Sequence, residues 1–350
     1  MVEHAQNTPD DLTGMPHAQK RFTTTLPPRR KGTPMPTDTR TAIRIEGLRK
    51  SFRDNHALRG VDLDIPAGIV FALLGANGAG KTTTINVLTT LLAPDAGTVR
   101  VAGFDVVTQA NEVRASIGVT GQFAAVDGLL TGEENLRLMA RLAHLERTTA
   151  EARIARLLDQ FDLAEAARKP TSTYSGGMRR RLDLAMSLVL DPAIVFLDEP
   201  TTGVDPRGRA VMWDIVRGLA DQGITIFLTT QYLEEADQLA SRVAVIEGGT
   251  IIADGTPAEL KRRVGTGHLL LDLPTPGALA AASAVLPGAT ADSAALTLRV
   301  GGETDANTVR DTLVRLNDAG VPIGNLRIVT PDLDDVFFTL TGTAKTKENQ

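Results

Sequence analysis

"IVFALLGANGAGKTTTINVL", residues 69–88, decides how the chain is read. It opens with six apolar residues, the pattern of a strand buried on both faces. It closes on a run that suits a helix. Between them "GANGAGKTT", residues 75–83, fits the phosphate-binding pattern G-x-x-x-x-G-K-[ST], with Gly75, Gly80, Lys81 and Thr82 at the fixed positions. Glycines let backbone N–H groups converge on phosphate oxygens, and the helix N-terminus adds positive potential. Lys81 is expected to reach the β/γ-phosphates and Thr82 to hold Mg²⁺. Asn77, Gly78 and Thr83 share the loop and are counted with the nucleotide site. The bland alternative, a chance Gly-rich turn, does not explain a strand before and a helix after.

"AIVFLDEP", residues 193–200, supplies the second half. Its apolar run is a buried strand, and ligands of parallel sheets bind at the strands' carboxyl ends. Asp198 at that end is expected to bind Mg²⁺, directly or through water. Glu199 is placed to polarise an attacking water. Just ahead lies "TYSGGMRRRLDLAMSLVLDP", residues 173–192, in which Ser175, Gly176 and Gly177 open a helix with free amides and a hydroxyl, a second phosphate site. Ser-Gly-Gly alone is a common turn; its position before the Asp-Glu strand is what makes it informative.

The rest of the chain sets bounds. Its 350 residues are 42% hydrophobic and 23% charged, enough for two or three domains. The formal charge of -5 argues against a dedicated nucleic-acid binder. With no cysteine, disulfides, cysteine-type zinc sites and thiol catalysis are excluded. The longest apolar stretch, "SLVLDPAIVFL", is broken by Asp191 and Pro192, so no membrane span is expected and another subunit would have to supply one. Arg outnumbers Lys 29 to 8, which suits a GC-rich bacterial source.

Composition shifts divide the chain. Residues 1–40 read as a disordered tail whose "PPRRKG" could touch anionic lipid. Strands and helices alternate over 41–265, implying a mostly parallel sheet, with a helical block at about 125–190. Residues 266–342 read as a small α+β module of βαββαβ order with a closing helix, "PDLDDVFFTLTG", and 343–350 as a frayed end.

The phosphate loop, the Ser-Gly-Gly helix and the Asp-Glu strand, in this order, resemble the ATP-binding subunit of ABC transporters over about residues 43–260. The resemblance implies an α/β fold: a P-loop NTPase domain of ABC type with an inserted helical subdomain, followed by the small α+β domain. It makes "YSGGM" the signature motif that completes the site of the opposite subunit in an ATP-sandwich dimer. Tyr174 and Met178 depart from the usual LSGGQ, while the serine and glycines are intact. It further implies that Gln122 senses Mg²⁺ and contacts the membrane subunit. Asp205 in "TTGVDP" would lie at the dimer seam. Phe52 would stack on adenine, unless it is simply a core residue. One chain has one phosphate loop and one signature, so two complete sites need a second ATP-binding subunit, with a homodimer the leading arrangement.

"TGEENLRLMARL", "DLDDVFFTLTG" and "LTTQYLEEADQLA" resemble the daunorubicin-resistance-type ATPases of ABC-2 exporters. That resemblance implies Mg-dependent ATP hydrolysis on the cytoplasmic face of a bacterial membrane, beside an ABC-2-type permease, in the service of drug or antibiotic efflux and with no nucleic acid bound. Gln231 stands where the wider family carries His. Its amide has a donor and an acceptor at similar reach but cannot shuttle a proton. Because phosphoryl transfer rests on positioning and electrostatics, an active ATPase is expected. The alternatives are a nucleotide-gated regulator with little turnover, and a soluble ABC ATPase of translation or DNA repair. The latter types carry two ATP modules or a long coiled coil, and this chain has neither. The C-terminal module is open between ligand site, dimer brace and passive cap; brace plus partner contact is favoured. Its His268 stands alone in sequence.

Overall fold

The computed structural model describes residues 41–121, 125–265, 267–302 and 305–341. The expectations for the two tails and for Gln122 lie outside the described residues. Contacts divide the chain into two units, one ending at Asp254 and one beginning at Gly255.

In the first unit, three strands carry the phosphate-loop chemistry: β3 (Val70–Leu74), β7 (Ile194–Asp198) and β8 (Thr225–Thr230), each buried along its whole length. They sit side by side in a six-stranded sheet of order β10-β9-β3-β8-β7-β6, where β6 is Ile117–Thr120, β9 Arg242–Glu247 and β10 Thr250–Gly255. The pairs β3–β8, β3–β9, β7–β8 and β6–β7 are parallel. Burial on both faces is why these strands read as unbroken apolar runs. Phe71, Phe196 and Phe227 stack across three adjacent strands, with centroids 5.4 and 5.5 Å apart.

A second, antiparallel sheet runs β2-β1-β4-β5, with β1 at Thr41–Phe52, β2 at Asn55–Pro66, β4 at Ala96–Val101 and β5 at Phe104–Asp105. Helix α1 (Lys81–Leu88) follows the phosphate loop. Thr90 turns left-handed at φ 66, and Leu91 is exposed. Helix α2 (Ala110–Ser116) leads to β6.

The helical block supplies α3 (Gly132–Leu142), α4 (Arg147–Gln160) and α5 (Gly176–Ser187). Thr131 and Glu134 form a capping box on α3, and Ser175 caps α5. After β7, α6 (Pro206–Asp221) starts from an Asp205 cap with proline in its first turn. Helix α7 (Leu233–Leu239) follows β8.

The second unit opens with α8 (Pro257–Val264), which packs against the closing helix α11 (Leu333–Thr341). That packing carries residues 255–265 with the second unit, ahead of the boundary read from composition. Between them run β11 (His268–Asp272), α9 (Pro276–Val285), β12 (Thr290–Asp292), β13 (Thr297–Gly301), α10 (Ala306–Asp318) and β14 (Asn325–Val329). The order is βαββαβ, and the strands pair antiparallel as β12-β13-β11-β14 over a core that includes Leu271, Leu279, Leu298 and Leu316. His268 is half-buried, with the charges of Arg299 and Asp335 close by.

Candidate functional site

The loop between β3 and α1 is shaped by two glycines. A Cβ on Gly75 would come within 2.4 Å of the Ile246 carbonyl oxygen. Gly80 has φ +112, and a Cβ there would meet the Ala57 carbonyl at 2.8 Å. Only glycine satisfies both the conformation and the close approach. Ala57 belongs to β2, so the β1–β2 hairpin abuts the loop. Phe52, at the hairpin end of β1, is 44% exposed and is therefore not a core residue. The Lys50 ammonium lies 5.7 Å from its ring centroid.

The loop and the end of β7 converge. Lys81, 4% exposed, donates to the carbonyls of Gly75 at 2.9 Å and Ala76 at 3.1 Å. Its ammonium is also 3.4 Å from a carboxylate oxygen of Glu199. Thr82 donates to Asp198 at 3.1 Å. The other oxygen of Asp198 accepts from Thr229 of β8. Thr82, with its hydroxyl at the loop, and Asp198 thus form an oxygen pair suited to a hard cation. Asn77 and Gly78 form the exposed crest of the loop, and Thr83 is half-buried behind Thr82.

Glu199 is a left-handed non-glycine residue, with φ 48. Such a backbone costs about 1–3 kcal/mol and persists only where its surroundings hold it. Here its N–H donates to the Thr229 carbonyl at 3.1 Å and to the Thr229 hydroxyl at 3.2 Å. Thr202 donates to its carboxylate at 3.2 Å. Thr229 therefore touches both acidic residues, a role that a threonine inside "TIFLTT" does not advertise.

Gln231 lies half-buried in the turn after β8. The preceding carbonyl, of Thr230, accepts from the N–H of Gly75 at 3.3 Å, which brings Gln231 directly beside the start of the phosphate loop. Four residues on, Glu235 is fully buried and accepts from the indole of Trp213 at 3.3 Å. Burial pushes its carboxyl above the usual range, opposed by the neighbouring Thr230 and Thr201 hydroxyls, the Trp213 indole and the charge of Arg209. Arg209 lies over the ring of Tyr232, 5.2 Å from its centroid. The helix that begins at Asp205 is thus fastened to the segment that carries Gln231.

Ser175, Gly176, Gly177 and Asp205 gather elsewhere. They line one cavity of about 630 Å³ together with Met178 and Val211, and none of residues 75–83 lines it. Ser175 accepts from Met178 N–H at 3.2 Å and Asp205 from Gly208 N–H at 3.0 Å, so both seam residues also cap their helices. Sequence reading missed Tyr174 as a structural element. Its phenol is buried, donates to the Ala166 carbonyl at 2.7 Å and is pushed up by burial.

A residue inside α5 was also missed. Arg180 is 8% exposed. Burial pushes its guanidinium down from its ordinary range, opposed by Asp183, Asp198 and Glu235. Burial likewise pushes the Asp183 carboxyl up, opposed by the Ala125 N–H and by Arg180.

Comparison with known proteins bears on this geometry. The family model "ABC transporter" matches residues 58–202. The chain is 50% identical over 305 residues to a daunorubicin resistance ATP-binding protein of Streptomyces coeruleorubidus, covering 86% of this chain and 96% of that protein. It is 47% identical over 315 residues to the daunorubicin/doxorubicin resistance ATP-binding protein of Streptomyces peucetius, covering 88% and 94%. It is 37% identical over 310 residues to the Nod factor export ATP-binding protein I of Paraburkholderia xenovorans, covering 86% and 97%. Among solved structures, the ADP conformation of an ATP-binding cassette of an ABC transporter matches with TM-score 0.58 and 26% identity, covering 63% of this chain and 92% of that one.

Proposed function

This chain belongs to the ABC transporter ATP-binding family, in the group of daunorubicin-resistance-type ATP-binding proteins, and from that premise we propose that it is the ATP-hydrolysing motor of an ABC-2-type exporter of drugs or antibiotics. The observation that carries the reading is the convergence of Lys81 on Glu199 at 3.4 Å and of Thr82 on Asp198 at 3.1 Å. A phosphate loop that follows β3 and two carboxylates at the end of β7 meet at one spot, as phosphoryl transfer requires.

In this reading the loop amides and the N-terminus of α1 hold the phosphates of ATP. Thr82 and Asp198 would hold Mg²⁺, which would supply charge neutralisation for the phosphates. Gln122 would join them there. Lys81 exchanges its bond to Glu199 for the γ-phosphate, which frees the Glu199 carboxylate to orient water. The water oxygen attacks the γ-phosphorus as the bond to the β–γ bridging oxygen breaks, leaving ADP and phosphate. Gln231 donates its amide N–H to the γ-phosphate and accepts from the water. Phe52, exposed at the hairpin, takes the adenine.

The signature and Asp205 line a cavity that excludes the phosphate loop, which supports a site shared between two subunits. We therefore read the working form as an ATP-sandwich dimer, most simply of two identical chains. Among the described residues no helix is long and apolar enough to cross a membrane. The chain would then sit on the cytoplasmic face of the membrane against a separate permease. The second unit braces the dimer and meets that partner in the same reading. No nucleic acid enters it. The Glu199→Gln chain tests the dimer: with Mg-ATP it should elute at twice the monomer mass, and a monomer with ATP bound would overturn the sandwich. Deletion of residues 266–350 should weaken dimerisation and recovery with a co-expressed permease; unchanged recovery would remove the brace.

A further inference from the structure

We propose that Arg180 is a positioning residue for hydrolysis: from the helix that begins at the signature, its guanidinium holds the turn that keeps Glu199 in place. The inference rests on the reading of Glu199 as the water-orienting carboxylate.

The geometry is that of a fork closing on a chain turn. The Arg180 Nε donates to the Pro200 carbonyl at 3.0 Å. Its Nη2 donates to the Asp198 carbonyl at 3.2 Å, with the Glu199 carbonyl at 3.5 Å. Three successive carbonyls at the end of β7 thus face one guanidinium. Its Nη1 donates to the Gly121 carbonyl at 2.7 Å and lies 3.4 Å from Asp183. Asp183 is itself fixed, its second oxygen accepting from Ala125 N–H at 3.0 Å.

Each part has a physical reason. The chain must leave β7 abruptly, and Glu199 does so through a left-handed conformation at φ 48. A non-glycine residue holds that conformation only when surrounding bonds outweigh its cost. Thr229 secures the N–H side of Glu199, and Arg180 secures the carbonyl side. A buried guanidinium needs partners for its five donors and a counter-charge, which the carbonyls and Asp183 provide. No lysine can replace it, because an ammonium is a point donor without a planar fork. Arg180 touches neither a phosphate-loop residue nor the Glu199 carboxylate by any hydrogen bond described above. It acts through the turn, and it ties the signature helix of one nucleotide site to the carboxylate of the other.

The test is a double-mutant cycle on Mg-ATP hydrolysis by the full chain. Arg180→Lys should leave Mg-ATP affinity within about threefold and lower kcat at least about tenfold, because the fork on the turn is lost while no contact to the phosphate loop is. In a Glu199→Gln background the same substitution should change the residual turnover by less than about twofold. An unchanged kcat in Arg180→Lys, or an equal fold-loss in both backgrounds, overturns the proposal. If Arg180→Lys does not fold, Asp183→Asn carries the same cycle, since it removes the counter-charge and leaves the guanidinium. A loss confined to the background with Glu199 supports the proposal, and equal losses overturn it. A wild type that hydrolyses nothing overturns the functional reading and this inference together, whereas an active wild type with equal losses overturns this inference alone.

Discussion

Gly132 lies beneath Tyr174 so closely that a Cβ on the glycine would come within 2.4 Å of the phenol oxygen. The phenol donates to the Ala166 carbonyl at 2.7 Å. The first residue of the signature motif is thereby packed against the first turn of α3. Gly132→Ala should cost about 1–3 kcal/mol, because the added carbon must displace a packed ring. Replacing Tyr174 by Leu in the same chain removes the oxygen that the methyl strikes, so the two losses should sum to more than the double variant shows. Urea unfolding of the two single variants and the double variant measures the coupling. Strict additivity would contradict the contact.

Thr229→Val tests the support of both acidic residues. Valine keeps the shape and removes the hydroxyl that donates to Asp198 and accepts from Glu199 N–H. The buried groups left short of a partner should cost about 1–3 kcal/mol of stability. Turnover should fall about tenfold with a smaller change in Mg-ATP affinity. Steady-state kinetics beside a denaturant titration decides it; full activity would mean that the Thr229 carbonyl alone is sufficient.

Glu235 supplies a pH dependence with a definite sign. Its folded carboxyl is raised above the ordinary value by burial. Between those two values the folded chain holds a proton that the unfolded chain has released. Its contribution is therefore present below the ordinary value and lost as pH climbs through the raised one. Glu235→Gln should flatten the profile across that window and gain on the order of 1 kcal/mol over the parent at neutral pH. Trp213, the single tryptophan, donates to this carboxylate and reports the transition by fluorescence. Asp95 and Asp105, held low by their hydrogen bonds, act at lower pH and cancel in the difference between variant and parent.

The parts of this molecule legible in its sequence are those with local causes. The phosphate loop was readable because Gly75 and Gly80 answer constraints set by a few neighbours. Strands β3, β7 and β8 were readable because burial on both faces leaves only apolar residues. The βαββαβ order called for a strand at β12, but its residues could not be picked out, since Thr290–Asp292 is three exposed residues with no alternation. Nor could the fate of "RRR" be read. Successive helix residues point about 100° apart. Arg179 accordingly faces solvent, Arg180 is buried on the carbonyls after β7, and Arg181 reaches the Phe161 carbonyl at 2.9 Å. Glu234 and Glu235 divide in the same way, one exposed and one buried. Tyr174 and Gly132 meet only once the helical block has folded.

The central claim is that Gln231 replaces the usual histidine in a working site. Hydrolysis of Mg-ATP by the wild type, Gln231→His and Glu199→Gln, each with and without a co-expressed permease, tests it most directly. The account predicts phosphate release by the wild type, a similar or higher rate for Gln231→His and almost none for Glu199→Gln. A silent wild type that Gln231→His restores would contradict it and make the chain a nucleotide-gated regulator.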